Sequence, residues 1–397
     1  MLPHLLLTYD FPPIGGGIAR WMAELARRYP PGSLVVSTGQ VGDTSASDAA
    51  FPNRVDRLAI SSPRLRTLQG ILLWSRRVAV LARSTDAEFI WCGNIKPAAY
   101  PAKWTRERTG TPFGILLHGG DLLILQHQIH QSAIKRKTAV ALLSAAAVLV
   151  ANSDWTRDRC LALLNELEID APSDRVRIVP LGADHEFFRP GVDTRAVRER
   201  HGLGEGRWLL SVARLTRHKG IDTGLQALAR LAGRYPTLRY AVVGSGEEQA
   251  ALEQEARALG VADRTRFLTG VPDDDLPALY NSAEVYLGVS RLMPQRVEGF
   301  GIALAEASAC GVPVVAGRSG GIPAAVRDGE TGLLVDAERA DDVAGAVARL
   351  LDDGELRARL GAAGRRAVET HYNWDRVTRD LVRLGHELGA RAAQAAG

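Results

Sequence analysis

The sequence predicts an α/β protein made of two similar halves, each a parallel sheet flanked by helices. Three observations carry this. Short apolar runs alternate with helix-period stretches along the whole chain. The pattern restarts after a polar segment at Asp184–Gly204, and 397 residues exceed the usual size of one core. Residues 1–185 together with the last helix, 374–397, are expected to form one domain and residues 186–373 the other. With 46% hydrophobic and 24% charged residues, the composition excludes a disordered or fibrous chain.

In the first half the strand candidates are His4–Thr8, Ser33–Ser37, Phe89–Cys92, Phe113–His118, Val148–Ala151 and Arg177–Pro180. The opening Met1–Thr8 lacks a charged lead-in and reads as a buried strand, not a signal peptide. Ile18–Tyr29 is a helix with Ile18, Met22, Leu25 and Tyr29 on one face. In Gln69–Ser84, Ile71, Trp74, Val78 and Leu81 form one helical stripe. A second stripe, Leu73, Arg76, Arg77, Val80 and Arg83, mixes apolar and cationic groups, as in an ordinary amphipathic surface helix or one lying at a membrane interface. The longest apolar run, Ala139–Ala151, has 13 residues and carries Ser144, short of the ~20 a membrane span needs. A cytoplasmic protein is expected, with peripheral attachment to the inner face of the membrane left open.

The second half repeats the pattern with Trp208–Ala213, Arg239–Val243, Thr265–Leu268, Val285–Gly288, Pro313–Ala316 and Gly332–Val335. Two such halves imply Rossmann-like domains facing one cleft, with ligands at the carboxyl ends of strands. After a break at His371–Asn373, the final helix from Trp374 is expected to return to the first domain.

Charge is uneven. Residues 1–185 carry 21 basic and 16 acidic side chains, the remainder 28 and 29, and the window Ile60–Val140 holds 12 basic against four acidic. Such a surface suits an anionic membrane or a phosphorylated substrate. Nucleic acid is not expected, because no helix-turn-helix, zinc-finger or aromatic RNA-binding motif accompanies the charge. Cys92, Cys160 and Cys310 lie far apart, which argues against a disulfide framework or a Cys-rich zinc site and suits buried thiols in a reducing compartment.

Four motifs carry chemistry. Gly15-Gly16-Gly17 stands between the first strand and a helix, an anion site by virtue of its outward N–H groups. It fails the dinucleotide fingerprint because Arg20 occupies the third glycine position, and Gly244-Ser245-Gly246 fails likewise at Gln249. Arg214 and Lys219 follow the second half's first strand, a guanidinium and an ammonium suited to a diphosphate. Glu298-Gly299-Phe300-Gly301 leads into a helix bearing Glu306, whose apolar neighbours make an unbonded carboxylate expensive. His118-Gly119-Gly120-Asp121 closes a strand at its carboxyl end. His127 and His130 read as helix surface, with no carboxylate spacing to complete a metal site. Gly317-Arg318-Ser319-Gly320-Gly321 fits the hydrolase nucleophile elbow, but too many strands precede it, and it reads as a glycine loop.

In order and spacing these motifs resemble the retaining GT-B glycosyltransferases of family four, also called glycosyl transferases group 1, over nearly the whole chain. The matching elements are Gly15–Gly17, His118-Gly119, Arg214 with Lys219, Gly244–Gly246, and Glu298 to Glu306 around Phe300-Gly301. The run Arg318–Pro323 fits as well. The resemblance implies a nucleotide-sugar donor, no metal and no further cofactor. Arg214 and Lys219 would neutralise the leaving diphosphate, and Glu306 would bond the ribose. Glu298, Gly299 and the Phe300-Gly301 backbone would hold the sugar, and His118 would touch it. Gly16, Gly17 and Gly244 would lie along the donor, with the base near Val271. Arg76, Arg77 and Asp121 would face a lipid-linked or glycan acceptor. The run from Val289 to Gly321 is most similar to phosphatidylinositol-mannoside mannosyltransferases, which implies a GDP-mannose donor, with UDP-sugars as the alternative. A nucleotide-sugar epimerase or phosphorylase shares the architecture but is not expected to carry both the paired acids and the Arg–Lys pair. A dehydrogenase is weakened by the failed fingerprints, and a catalytically dead binding protein by the intact set.

Overall fold

The computed structural model describes residues 3–170 and 172–396. Met1 and Leu2 of the expected opening strand, and Gly397 at the end of the expected last helix, lie outside the described residues. The chain divides into two compact units, Met1–Pro180 with Trp374–Gly397 and Leu181–Asn373.

The first unit holds seven strands: β1 (His4–Leu7), β2 (Leu34–Gln40), β3 (Arg54–Ser61), β4 (Phe89–Cys92), β5 (Phe113–Leu117), β6 (Val148–Ala151) and β7 (Val176–Ile178). They lie side by side in the order β3-β2-β1-β4-β5-β6-β7, every pair parallel. Leu5 stands between Val35 and Ile90 in register. Helices cover both faces, so β1, β4, β5 and β6 are buried throughout and read as apolar runs rather than alternations.

β3 is a strand the sequence reading lacks. Its segment, Arg54-Val55-Asp56-Arg57-Leu58, is largely charged and sits at the sheet edge, where buried apolar alternation is not required. Only Asp56 and Leu58 of it are buried.

The second unit repeats the plan with β8 (Arg207–Val212), β9 (Leu238–Val243), β10 (Thr265–Leu268), β11 (Val285–Gly288), β12 (Val314–Gly317) and β13 (Gly332–Val335). Their order is β10-β9-β8-β11-β12-β13, again all parallel. Each sheet therefore reverses direction once, at β1/β4 in the first unit and β8/β11 in the second, which makes two Rossmann-like units with a ligand crevice expected at each reversal.

The final helix, Trp374–Ala396, belongs to the first unit and packs on β4 and on the Gly17–Arg28 helix. Arg28 Nε donates to Asp375 Oδ1 at 3.1 Å, and Arg376 bonds the Pro180 carbonyl. Where the chain enters and leaves the second unit, the two passages run side by side. Ala183 N donates to the Tyr372 carbonyl at 2.9 Å, and a Cβ on Gly182 would meet the Tyr372 carbonyl carbon at 2.6 Å.

Among the described residues no helix is long and apolar enough to cross a membrane. All three cysteines are free and buried, and burial pushes the Cys160 and Cys310 thiols up to about 12.

Candidate active site

In the second unit the candidate residues gather on the loops at the β8/β11 reversal. β8 ends at Val212, and its loop carries Arg214 and Lys219 before the Ile221–Leu231 helix begins. Gly220 makes that turn possible. Its φ is +70°, and a Cβ would fall 2.1 Å from the Val289 carbonyl oxygen, so the β8 and β11 loops touch backbone to backbone. Gly244 closes the other side of the β8 loop. Its φ is +137°, and a Cβ would lie 2.0 Å from the Ala213 carbonyl oxygen.

Arg214 is exposed and forms no ion pair among the described residues. Lys219 Nζ is paired with Glu298 Oε2, both side chains about four-fifths buried. His218, next to Lys219 in the loop, shares a hydrogen bond between its Nδ1 and Thr216 Oγ1 at 3.0 Å. Burial, and then the Lys219 charge, push its pKa down to about 4. Lys219, Glu298, Ser290, Gly301, Ala303 and Ala213 line a pocket at the carboxyl ends of β8 and β11.

Gly301, with φ +99°, starts the Ile302–Ala309 helix beside this pocket, aiming that helix's unpaired N–H groups and positive end toward it. Gly299 and Phe300 are buried, and the Phe300 ring packs 5.8 Å from Tyr372, so its side chain belongs to the packing of the unit. Glu306 lies deeper on the same helix, 4% exposed, and accepts a hydrogen bond from Tyr280 Oη at 2.8 Å. Val271 is half-buried in the loop after β10, two strands away from β8.

The loop after β12 braces the acidic segment. Gly321 N donates to the Glu298 carbonyl at 2.8 Å, and Ser319 Oγ donates to the Ser290 carbonyl at 2.9 Å. Ser319 is thus a loop fastener, in agreement with the glycine-loop reading and against a nucleophile elbow.

The first unit has a matching arrangement at β1/β4. Gly16, with φ +122°, caps the Gly17–Arg28 helix after β1. His118 directly follows β5, and its Nε2 donates to the Gly93 carbonyl at 2.6 Å just beyond β4. The ring packs edge-on against Trp21, centroids 5.1 Å apart. Asp121 does not reach outward: its Oδ1 accepts from the His118 and Leu122 amides at 3.1 and 3.0 Å. Its Oδ2 is buried without a partner, and burial raises its pKa.

Arg76 is exposed on the Leu68–Ser84 helix, but Arg77 is held by Asp56, Nε to Oδ2 at 2.8 Å, and belongs to the packing of that helix on β3. The exposed apolar groups of this helix are Leu68, Leu72, Leu73 and Val80, of which sequence spacing singled out only Leu73 and Val80. Ile71, expected in the core stripe, is only half-buried. Sequence reasoning also missed Tyr280 and Gly93. Tyr280 lies in a six-residue buried helix that reads as plain core, whereas Gly93 carried the same signal as Gly119, a glycine directly after a strand.

Residues 193–367 match the model of the glycosyl transferases group 1 family. The chain is 33% identical over 382 residues, 93% of its length and 94% of the relative's, to the GDP-mannose-dependent alpha-(1-6)-phosphatidylinositol monomannoside mannosyltransferase of Mycolicibacterium smegmatis. A D-inositol 3-phosphate glycosyltransferase of Acidothermus cellulolyticus is 38% identical over 265 residues, 64% of this chain and 56% of that one. In fold the chain matches Anabaena HepE in complex with UDP and glucose, with TM-score 0.79, 20% identity, and coverage of 97% of this chain and 99% of that one. Two Rossmann-like units, the matched family model and a relative 33% identical along nearly its full length lead to one assignment: the chain belongs to the glycosyl transferases group 1 family and is a glycosyltransferase of the GT-B fold.

Proposed function

We propose that the chain transfers a mannosyl group from GDP-mannose to an inositol-phosphate-bearing, lipid-linked glycan, retaining the anomeric configuration and using no metal ion. The observation that carries this reading is the 33% identity to a GDP-mannose-dependent phosphatidylinositol monomannoside mannosyltransferase across 93% of the chain. The second named relative also acts on an inositol phosphate by its name, which favours the same acceptor headgroup.

In this reading Arg214 and Lys219 carry the charge that develops on the leaving GDP. An exposed guanidinium and a partly buried ammonium supply electrostatic stabilisation that a divalent ion would otherwise give. Glu298 holds Lys219 before the donor arrives and accepts a sugar hydroxyl once the ammonium turns to the diphosphate. Glu306, fixed by Tyr280, is the ribose acceptor. Attack from the face the diphosphate leaves gives retention without an enzymic nucleophile. His118, held at Nε2 by the Gly93 carbonyl, contacts the donor sugar. The exposed Leu68, Leu72, Leu73 and Val80 beside Arg76 and Arg83 suit a lipid surface rather than water alone.

Calorimetric titration with GDP, UDP and NAD, followed by proton NMR of the mannosylated product, tests the reading. Tight GDP binding unaffected by magnesium and an α-linked product support it. A preference for UDP moves the donor to a UDP-sugar, NAD binding returns the question to a dehydrogenase, and an inverted product overturns retention.

A further inference from the structure

At the amino ends of β1 and β4, opposite the loops that carry Gly16 and His118, three side chains from distant parts of the chain converge. His4 opens β1, Glu88 immediately precedes β4, and His386 lies on the final helix. One nitrogen or carboxylate oxygen from each lies within 4.8 Å of the other two. His4 Nε2 is 3.2 Å from Glu88 Oε1, His386 Nδ1 contacts the same oxygen, and the two imidazole rings are 4.7 Å apart between centroids.

We propose that His4, Glu88 and His386 bind a divalent cation of the zinc class, which fastens the final helix to the first unit's sheet. Two imidazoles and one carboxylate are the donor set that zinc, cobalt and nickel prefer, whereas magnesium and calcium call for a shell of oxygens. Ligand atoms around a tetrahedral zinc at ~2.0–2.2 Å stand roughly 3.3–3.5 Å apart. Small side-chain rotations bring these three to that spacing.

Two further features fit a built site. The second nitrogen of His4, Nδ1, lies 3.0 Å from Tyr29 Oη, the outer-shell partner that orients a ligating imidazole and leaves Nε2 to the metal. The final helix is also notched here. A Cβ on Gly385 would sit 2.4 Å from His4 Cε1, and one on Gly389 would sit 3.0 Å from the Glu88 carbonyl oxygen. These glycines let the helix descend far enough for His386 to meet the other two ligands. His4 is fully buried, whereas Glu88 and His386 are partly exposed at 17% and 27%, so a cation would reach the three from the Glu88 and His386 side.

The test uses the full chain, stripped with a chelator and then titrated with zinc. We expect one zinc per chain by elemental analysis, a melting temperature several degrees higher with zinc than with chelator, and no such rise with magnesium. Cobalt in place of zinc should give the visible absorption of a tetrahedral site. His386→Ala should weaken zinc affinity more than 100-fold, and Tyr29→Phe about tenfold. If His386→Ala does not fold, Glu88→Gln and the cobalt spectrum of the unmodified chain keep the proposal open to refutation. A chain that takes up no stoichiometric zinc, or whose zinc binding survives His386→Ala unchanged, overturns it, leaving Glu88 as a shared hydrogen-bond acceptor between two histidines.

Discussion

Lys219 and Glu298 hold each other in the β8/β11 pocket, and under the proposed reaction a diphosphate would have to exchange that contact for its own. Lys219→Ala removes the cation and should lower kcat by about 100-fold, roughly 3 kcal/mol, with KM for the donor changed less. Initial rates on folded variant protein check this, and a near-normal kcat would remove Lys219 from the leaving-group role. His218 gives a pH signature of its own. Its folded pKa of about 4 lies below the ordinary 6.5, so between those values the unfolded chain binds a proton that the folded chain does not. The stability it contributes is complete above pH 6.5 and is lost as pH falls toward 4. His218→Gln should therefore flatten the fall of melting temperature over that window. Tyr280→Phe should cost about 1–2 kcal/mol in denaturant unfolding, because it takes a hydrogen bond from the buried Glu306 carboxylate. Glu306 was legible in the sequence as an acid on an apolar helix. Its partner was not, because a tyrosine inside a short apolar helix carries no mark of what its hydroxyl meets.

At the scale of elements, the β8, β9 and β11 loops are pressed together at glycines, and that contact shapes the pocket. Gly220→Ala combines a left-handed backbone with a clash against the Val289 carbonyl, and should lower the melting temperature more than Gly233→Ala, where a Cβ meets nothing within 4 Å. The Leu68–Ser84 helix makes a separable prediction. Arg76→Ala with Arg83→Ala should weaken binding to anionic vesicles by about 1 kcal/mol per residue without changing nucleotide affinity. Arg77→Ala should instead lower stability, since it takes a partner from the buried Asp56. Vesicle co-sedimentation alongside thermal melts distinguishes the two. Twelve of the thirteen strands were readable because parallel strands covered on both faces are unbroken apolar runs. β3 escaped because an edge strand keeps its charges, and the two stripes of the Leu68–Ser84 helix were legible where the pairing of Arg77 across to β3 was not.

For the whole molecule, the two parallel sheets and the return of the final helix were expected from the alternating pattern and from the break at His371–Asn373, whereas the strand order was not read from the sequence. Nor was the adjacency of the two passages at Ala183 and Tyr372, since it depends on pairing between positions almost 190 residues apart. That adjacency carries a consequence for synthesis. The second unit is an uninterrupted stretch with its own core, bounded by a clasp that its own last residues complete. The first unit waits for a helix that follows the whole of the second unit in the chain, and until then the surface of β4 and of the Gly17–Arg28 helix that this helix covers stays open. On the ribosome, the first unit is thus begun before the second and completed after it, and its early portion is the natural client for a chaperone during the interval.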